Sequence, residues 1–114
     1  MIDRKKENWV EVCELEKITP NTGVAALVND KQVAIFRIGD SDDVRAVSNF
    51  DPFTKANVIS RGIIGSRGDV IKVASPILKH QFCLETGEYL DGEGVYLPTY
   101  KTRVVDGCVQ VLGV

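Results

Sequence analysis

The amino-acid sequence predicts an all-β fold, an antiparallel sandwich or barrel of roughly nine short strands. Three observations carry that expectation. Short apolar and β-branched runs alternate with Gly, Pro, Asn and Asp turn residues along nearly the whole chain. Asp106-Gly107 lies between two valine-rich runs and supplies the two positive-φ positions that a tight hairpin turn needs. No stretch shows the sustained 3.6-residue periodicity of a long amphipathic helix.

In chain order, Met1 to Asn8 is polar and charged and reads as a loose leader, so a single domain is expected over residues 9–114. Trp9 to Cys13 is the first strand. Glu14 to Asn21, ending in Pro20-Asn21, is a loop with room for one helical turn. Gly23 to Val28 and Gln32 to Arg37 form a hairpin around Asn29-Asp30, because Asn and Asp tolerate the left-handed backbone of primed turns. The run Val24 to Val28 also fits a buried helix, but its short length and flanking turn residues favour strand. After the polar loop Gly39 to Asp43, Val44 to Val47 is a fourth strand. Val70 to Ala74 and Gln81 to Leu84 are strands on either side of a proline loop. Thr86-Gly87 is a tight turn from which Glu88 to Leu90 can pair back, and Asp91 to Gly94 is too glycine-rich for regular structure. Thr99 to Val105 and Cys108 to Leu112 close the chain as a hairpin.

A chain of 114 residues is long enough for one core and too short for two. A net charge of −2 supplies no basic field for nucleic acid or for an anionic membrane surface. No apolar run approaches the ~18 residues of a membrane-spanning helix. The charged N-terminus is followed by no apolar signal core, so the expected location is the cytoplasm. Cys13, Cys83 and Cys108 form no spaced pair and are expected to be free, buried thiols.

Several chemistries find little support. His80, the only histidine, lies three residues before Cys83; the two offer at most half of the roughly four ligands that a structural or electron-transfer site needs. Surface or packing duty fits His80 better than a nucleophilic triad. Arg61 to Gly68 mixes glycine with arginine, but it lacks the Gly-Lys-Ser/Thr ending of a phosphate loop, and glycines at hairpin bends account for it. Asp40, Asp42 and Asp43, like Asp91 and Glu93, lack calcium-loop spacing and read as solvated loops. Aromatic residues are too few and scattered for a nucleic-acid platform.

The stretch from Val47 to Leu90 organises the rest. It holds two short X-Pro loops, Asp51-Pro52-Phe53 and Ser75-Pro76-Ile77-Leu78, separated by mostly β-type sequence. Ala46 to Asn49 leads into the first loop and Ile59 to Gly62 leads out, while Phe82-Cys83-Leu84-Glu85-Thr86-Gly87 follows the second. This layout resembles the Rieske ferredoxin fold, in which Cys-X-His in one loop and Cys-X-X-His in the other hold a [2Fe-2S] cluster. The resemblance implies a Rieske-like β-sandwich or barrel with a two-loop subdomain, about residues 48–90, in place of the cluster-binding tip. Laid over the ligand pattern, the cysteine positions fall on Asp51 and Ser75 and the histidine positions on Phe53 and Leu78. Phenylalanine and leucine have no donor atom, so the chain is expected to carry no cluster, no catalytic residue and no metal or cofactor ligand.

Thr22-Gly23-Val24, Gln32 to Arg37, Ser48 to Phe53, Ser60 to Gly62, Val73 to Pro76 and Val105 to Gly107 add a narrower likeness in their order and spacing. From Trp9 to about Leu112 the chain is similar to the small-subunit family of assimilatory NAD(P)H-dependent nitrite reductases. The likeness implies reduction of nitrite to ammonia in nitrate and nitrite assimilation. It implies a large catalytic subunit as partner, carrying FAD, an iron–sulfur cluster and siroheme, with no nucleic acid and no membrane involved. Without a cluster, the two loops must be held by side-chain contacts or by a partner. Phe50, Phe53, Ile77 and Leu78 would form a dry cluster beneath the loops or remain partly exposed, with Phe53 turned inward. Phe50, Phe53, Ile77, Leu78, Lys79 and His80 are the candidate contacts to the large subunit. Two other readings stay open: a Rieske-type [2Fe-2S] electron carrier with atypical ligands, and a stand-alone β interaction module.

Overall fold

The hairpin at Asn29-Asp30 is the spine of the fold in a computed structural model that describes residues 8–113. It joins β2 (Gly23–Val28) to β3 (Lys31–Arg37), and both turn residues adopt positive φ, 51° and 68°, as a primed turn requires. With β1 (Asn8–Glu14), β4 (Val44–Ser48), β5 (Phe50–Asp51) and β6 (Ala56–Asn57), these strands make up the first half of the chain. The second half supplies β7 (Ile63–Arg67), β8 (Val70–Ala74), β9 (Gln81–Cys83), β10 (Thr99–Tyr100), β11 (Thr102–Val105) and β12 (Cys108–Gly113). Helical structure among the described residues is confined to two 3-10 turns, Leu15–Lys17 and Ile59–Arg61.

Strand β3 belongs to two cores at once. Its alternation puts Val33 and Ile35 on one face and Ala34 and Phe36 on the other, and all four are fully buried. The first face meets Ile18, Val28, Ala46, Val109 and Val111, which fill the space between the sheet β10-β4-β3-β2 and the sheet β1-β12-β11. The second face meets Val47, Ile59, Val73, Phe82, Leu84 and Leu97 and carries the three-stranded sheet β7-β8-β9. That second core joins the sandwich to the tip.

The count of twelve described strands departs from the nine expected, and each departure has a local cause. The run Thr99 to Val105 is not one strand. It breaks at Lys101: Thr99 and Tyr100 pair with Val47 and Ala46, whereas Thr102 to Val105 pair with β12, so the chain changes sheets within two residues. Gly62, Gly65 and Gly68 hide β7 in the sequence, because Gly65 sits inside the strand opposite Lys72 and only Gly68 stands at the bend. Strands β5 and β6, of two residues each, are too short to show a pattern. Glu88 to Leu90 does not form a strand and contributes isolated bridges at Phe82–Tyr89 and Glu88–Tyr96. β1 starts at Asn8, one residue inside the expected leader; the remainder of that leader, residues 1–7, lies outside the described residues.

Asp40, Asp42, Asp91 and Glu93 are exposed, as expected of solvated loops, and Asp43 is half-buried. Asp40 pairs with Arg37 at 3.1 Å, Asp43 with Arg45 at 2.8 Å, and Asp91 with Arg67 at 3.0 Å. Arg37 is almost fully buried and donates from Nη1 to the Ile18 carbonyl and from Nε to the Ser41 carbonyl. It therefore satisfies two loop carbonyls at the edge of the core. The three cysteines are free; Cys83 is buried, while Cys13 and Cys108 are only partly so.

Candidate functional site at the two-loop tip

Asn49 sets the first loop in place. It is buried, and its amide Nδ2 donates to Gln32 Oε1 at 3.0 Å while its Oδ1 accepts the Ser60 N–H at 2.7 Å. Its backbone N–H and C=O engage Gln32 and Ile59. One side chain thus fastens the start of the loop to β3 and to the segment that leaves it.

The two proline loops are built alike. In the first, the Lys55 N–H donates to the Asp51 carbonyl at 2.7 Å; in the second, the Lys79 N–H donates to the Ser75 carbonyl at 3.0 Å. Lys55 and Lys79 both take left-handed backbone, with φ of 62° and 60°. Pro52 and Pro76 hold the position after the first residue, where a fixed φ favours the turn and a missing N–H costs nothing.

Side chains bind the loops to each other. Ser75 Oγ donates to Asp51 Oδ2 at 2.6 Å, and both residues are shielded from solvent. Asp51 Oδ1 accepts the Phe53 N–H at 2.9 Å and, at 3.4 Å, the Thr54 N–H. Burial pushes the Asp51 carboxyl up, but these donors outweigh it and hold the group below the ordinary carboxylate value. The Thr54 hydroxyl adds to the pull although it closes no hydrogen bond of ordinary geometry.

A second tie is aromatic. The Phe53 ring stacks on His80 with centroids 3.9 Å apart and planes 20° from parallel, and Tyr89 lies 4.8 Å from Phe53. Phe82 completes the group 6.2 Å from Phe53 and 5.8 Å from Tyr89. His80 Nδ1 is buried there without a hydrogen-bond partner. Phe82 and Tyr89 were not singled out in the sequence. Their signal was the pattern Phe82 to Gly87 followed by a possible return strand, which returns Tyr89 to Phe82 through a single bridge.

Of the two arrangements expected, a dry cluster of all four apolar side chains does not form and the partly exposed one does. Phe50, Ile77 and Leu78 are 42%, 51% and 61% exposed, and Phe53 keeps 36% of its surface in solvent although one face is stacked. These side chains stand on loops whose inner ends are already closed by Asp51 and Ser75, so they project outward. Lys79 is exposed beside Leu78, and His80 is half-buried behind it. Ile63 lies opposite Ala74, next to Ser75, and is 69% exposed.

The residues do not fit a [2Fe-2S] group. Such a cluster needs four donor side chains converging from two loops. Here the two oxygen-bearing residues are bonded to each other, Leu78 points outward without a donor atom, and Phe53 is stacked on imidazole. Among the described residues no set of three or more His, Cys, Asp or Glu side chains is placed to hold a metal ion. Cys83, the thiol nearest in sequence, is buried under its own turn. There its Sγ accepts the N–H groups of Glu85 and Thr86, both at 3.4 Å. Burial pushes that thiol up, and the Thr86 and Glu85 donors bring it below its usual value. An open groove of about 610 Å3, lined by Asp43, Arg45, Glu85, Tyr100 and Lys101 among others, includes none of the six candidate contact residues.

Comparison with known proteins agrees with this architecture. Residues 8–112 match the family model of the Rieske-like [2Fe-2S] domain. The chain is 45% identical over 105 residues to the nitrite reductase (NADH) small subunit of Escherichia coli (strain K12), covering 92% of this chain and 97% of that one. A crystal structure from Mycobacterium tuberculosis, assigned as an NADH-dependent nitrite reductase small subunit, superposes with a TM-score of 0.90 at 44% identity. It covers 96% of this chain and 98% of that one. The chain is also 35% identical over 103 residues to part of the nitrite reductase [NAD(P)H] large subunit of Klebsiella oxytoca, matching 90% of this chain and 11% of that protein.

Proposed function

Since the chain belongs to the Rieske-like family of nitrite reductase small subunits, we propose that it serves as the redox-silent partner of a large subunit. That subunit performs the NAD(P)H-dependent reduction of nitrite to ammonia. In this reading FAD, the iron–sulfur cluster and siroheme reside on the large subunit, in the cytoplasm, and this chain contributes no catalytic residue. The observation that carries the reading is the hydrogen bond from Ser75 to Asp51, which joins the two positions where a Rieske protein has cysteines. The Klebsiella relative supports the choice of partner, because a segment like this chain lies within a large-subunit polypeptide there.

The contact surface in this reading is the tip, formed by Phe50, Phe53, Ile77, Leu78 and Lys79 with His80 behind them. Exposed apolar side chains gathered on paired loops are the kind of patch that protein partners cover.

Co-expression with the large subunit tests the proposal. Nitrite-dependent NAD(P)H oxidation is measured with and without this chain, alongside iron and sulfide analysis of the chain purified without oxygen. We expect co-purification with the large subunit and no stoichiometric iron on the isolated chain. One iron–sulfur cluster per chain would establish the electron-carrier reading instead, and failure to associate would leave an independent β module.

A further inference from the structure

Lys55 and Lys79 hold the same place in the two tip loops. Each is the fifth residue of its loop, closes it through its N–H, and adopts positive φ. Lysine gains nothing from that backbone; glycine or asparagine takes left-handed φ at lower cost, so turn geometry does not explain a lysine at both positions. The first residues of the loops, Asp51 and Ser75, are hydrogen-bonded to each other, so both lysines are held close to one bridge. Both side chains are exposed, and neither has an ion-pair partner among the described residues. The one carboxylate in the loops, Asp51, is buried and engaged by Ser75 and backbone N–H groups. The tip therefore presents two unpaired positive charges beside Phe53, Ile77 and Leu78, on a chain whose net charge is −2.

We propose that Lys55 and Lys79 act as a matched cationic pair that seats the tip on an apolar depression rimmed by carboxylates on the large subunit. This rests on the tip being the docking surface. The apolar side chains would supply the buried centre of the contact. The lysines would lie at its rim, where charge sets association rate and orientation more than bulk affinity. A partner of that chemistry matches the patch in both polarity and sign. The Klebsiella polypeptide, which carries a like segment together with large-subunit sequence, makes the large subunit the occupant to test.

Binding of the full chain to the cofactor-loaded large subunit is measured at about 50 mM and about 500 mM salt, where screening lengths differ roughly threefold. Four proteins are compared: the unsubstituted chain, Lys55→Glu with Lys79→Glu, Lys55→Arg with Lys79→Arg, and Ile77→Asp with Leu78→Asp. Circular dichroism verifies the fold of each. The expected result is about a tenfold or larger loss for the glutamate pair at low salt, mostly in the association rate, that shrinks at high salt. The arginine pair should bind like the unsubstituted chain, and the aspartate pair should bind poorly at both salt concentrations. If the glutamate pair binds normally while the aspartate pair fails, the tip docks without an acidic rim, and the cationic-pair proposal is wrong. If both bind normally, the tip itself is not the docking surface.

Discussion

Ser75 donates its hydroxyl hydrogen to Asp51 across 24 residues of chain, at 2.6 Å and out of contact with solvent. A short bond to a buried carboxylate is strong because the charged acceptor has no water to fall back on. It links the two proline loops of the tip directly, side chain to side chain.

Replacing Ser75 by alanine removes the donor and leaves one carboxylate oxygen buried without it. The expected cost is about 1.5–3 kcal/mol, read as a lower urea midpoint with an unchanged slope. The double variant Asp51→Ala with Ser75→Ala should cost less than the sum of the single variants, since the two residues share the bond. Strict additivity would show that the bond contributes nothing.

Acid should weaken the same link. The Asp51 carboxyl sits below its ordinary value of 3.8 in the folded chain, because the Ser75, Phe53 and Thr54 donors overcome the upward push of burial. A carboxyl lowered on folding contributes stability that is fully present above its unfolded value and disappears as pH falls through the folded one. The stability difference between the unsubstituted chain and Asp51→Asn should therefore stay level near neutrality and shrink below about pH 4. Thermal melts from pH 7 to pH 3 measure it; a difference independent of pH would contradict the assignment.

Phe53→Ala removes the stack on His80 and opens the contact with Tyr89. Because Phe53 is partly exposed, a modest loss of about 1–2 kcal/mol is expected. Hydrogen exchange should accelerate at the amides of Lys55 and Lys79, which close the loops, and remain slow in β3. Equal acceleration in both would mean that the tip does not open separately from the sandwich.

Gly87 is a position where no side chain fits. Its φ is +83°, and a Cβ there would collide with the Leu97 carbonyl oxygen. Gly87→Ala combines left-handed backbone with a backbone clash and should cost more than about 2 kcal/mol, with loss of the soluble fold in cells. A melting temperature within 2 degrees of the unsubstituted chain, on the order of 0.5 kcal/mol or less, would show that the turn relaxes.

Arg37→Lys tests the buried guanidinium. Lysine cannot reach the Ile18 and Ser41 carbonyls with two fixed N–H groups at once, so roughly 2 kcal/mol is expected to be lost despite the retained charge. Urea denaturation measures it, and unchanged stability would mean that water replaces the lost donors.

Much of the framework could be read directly from the residues. Asn29-Asp30 and Asp106-Gly107 both turn with paired positive φ, because a primed hairpin accepts few other residues. Where the sequence misled, the cause was contact between distant strands. Thr99 to Val105 reads as one uninterrupted β run, yet Ala46 and Val47 claim its first two residues and β12 claims the remainder. The interrupted glycine pattern concealed β7, whose strand character comes from pairing with β8 and not from its own propensity.

The tip divides in the same way. The sequence by itself determined that Phe53 and Leu78 offer no donor atom and that Pro52 and Pro76 shape two short loops, since both follow from the chemistry of single residues. Only the tertiary structure decided that Asp51 and Ser75 bond to each other, that Phe53 lies on His80, and that Ile77, Leu78 and the two lysines face solvent. Turn chemistry acts over four or five residues, whereas these contacts join two loops, the first placed against β3 by Asn49 and the second by the register of β7, β8 and β9. That register is set by burial of Val73 and Phe82 against Phe36 in the second core, a condition that no local window of sequence contains.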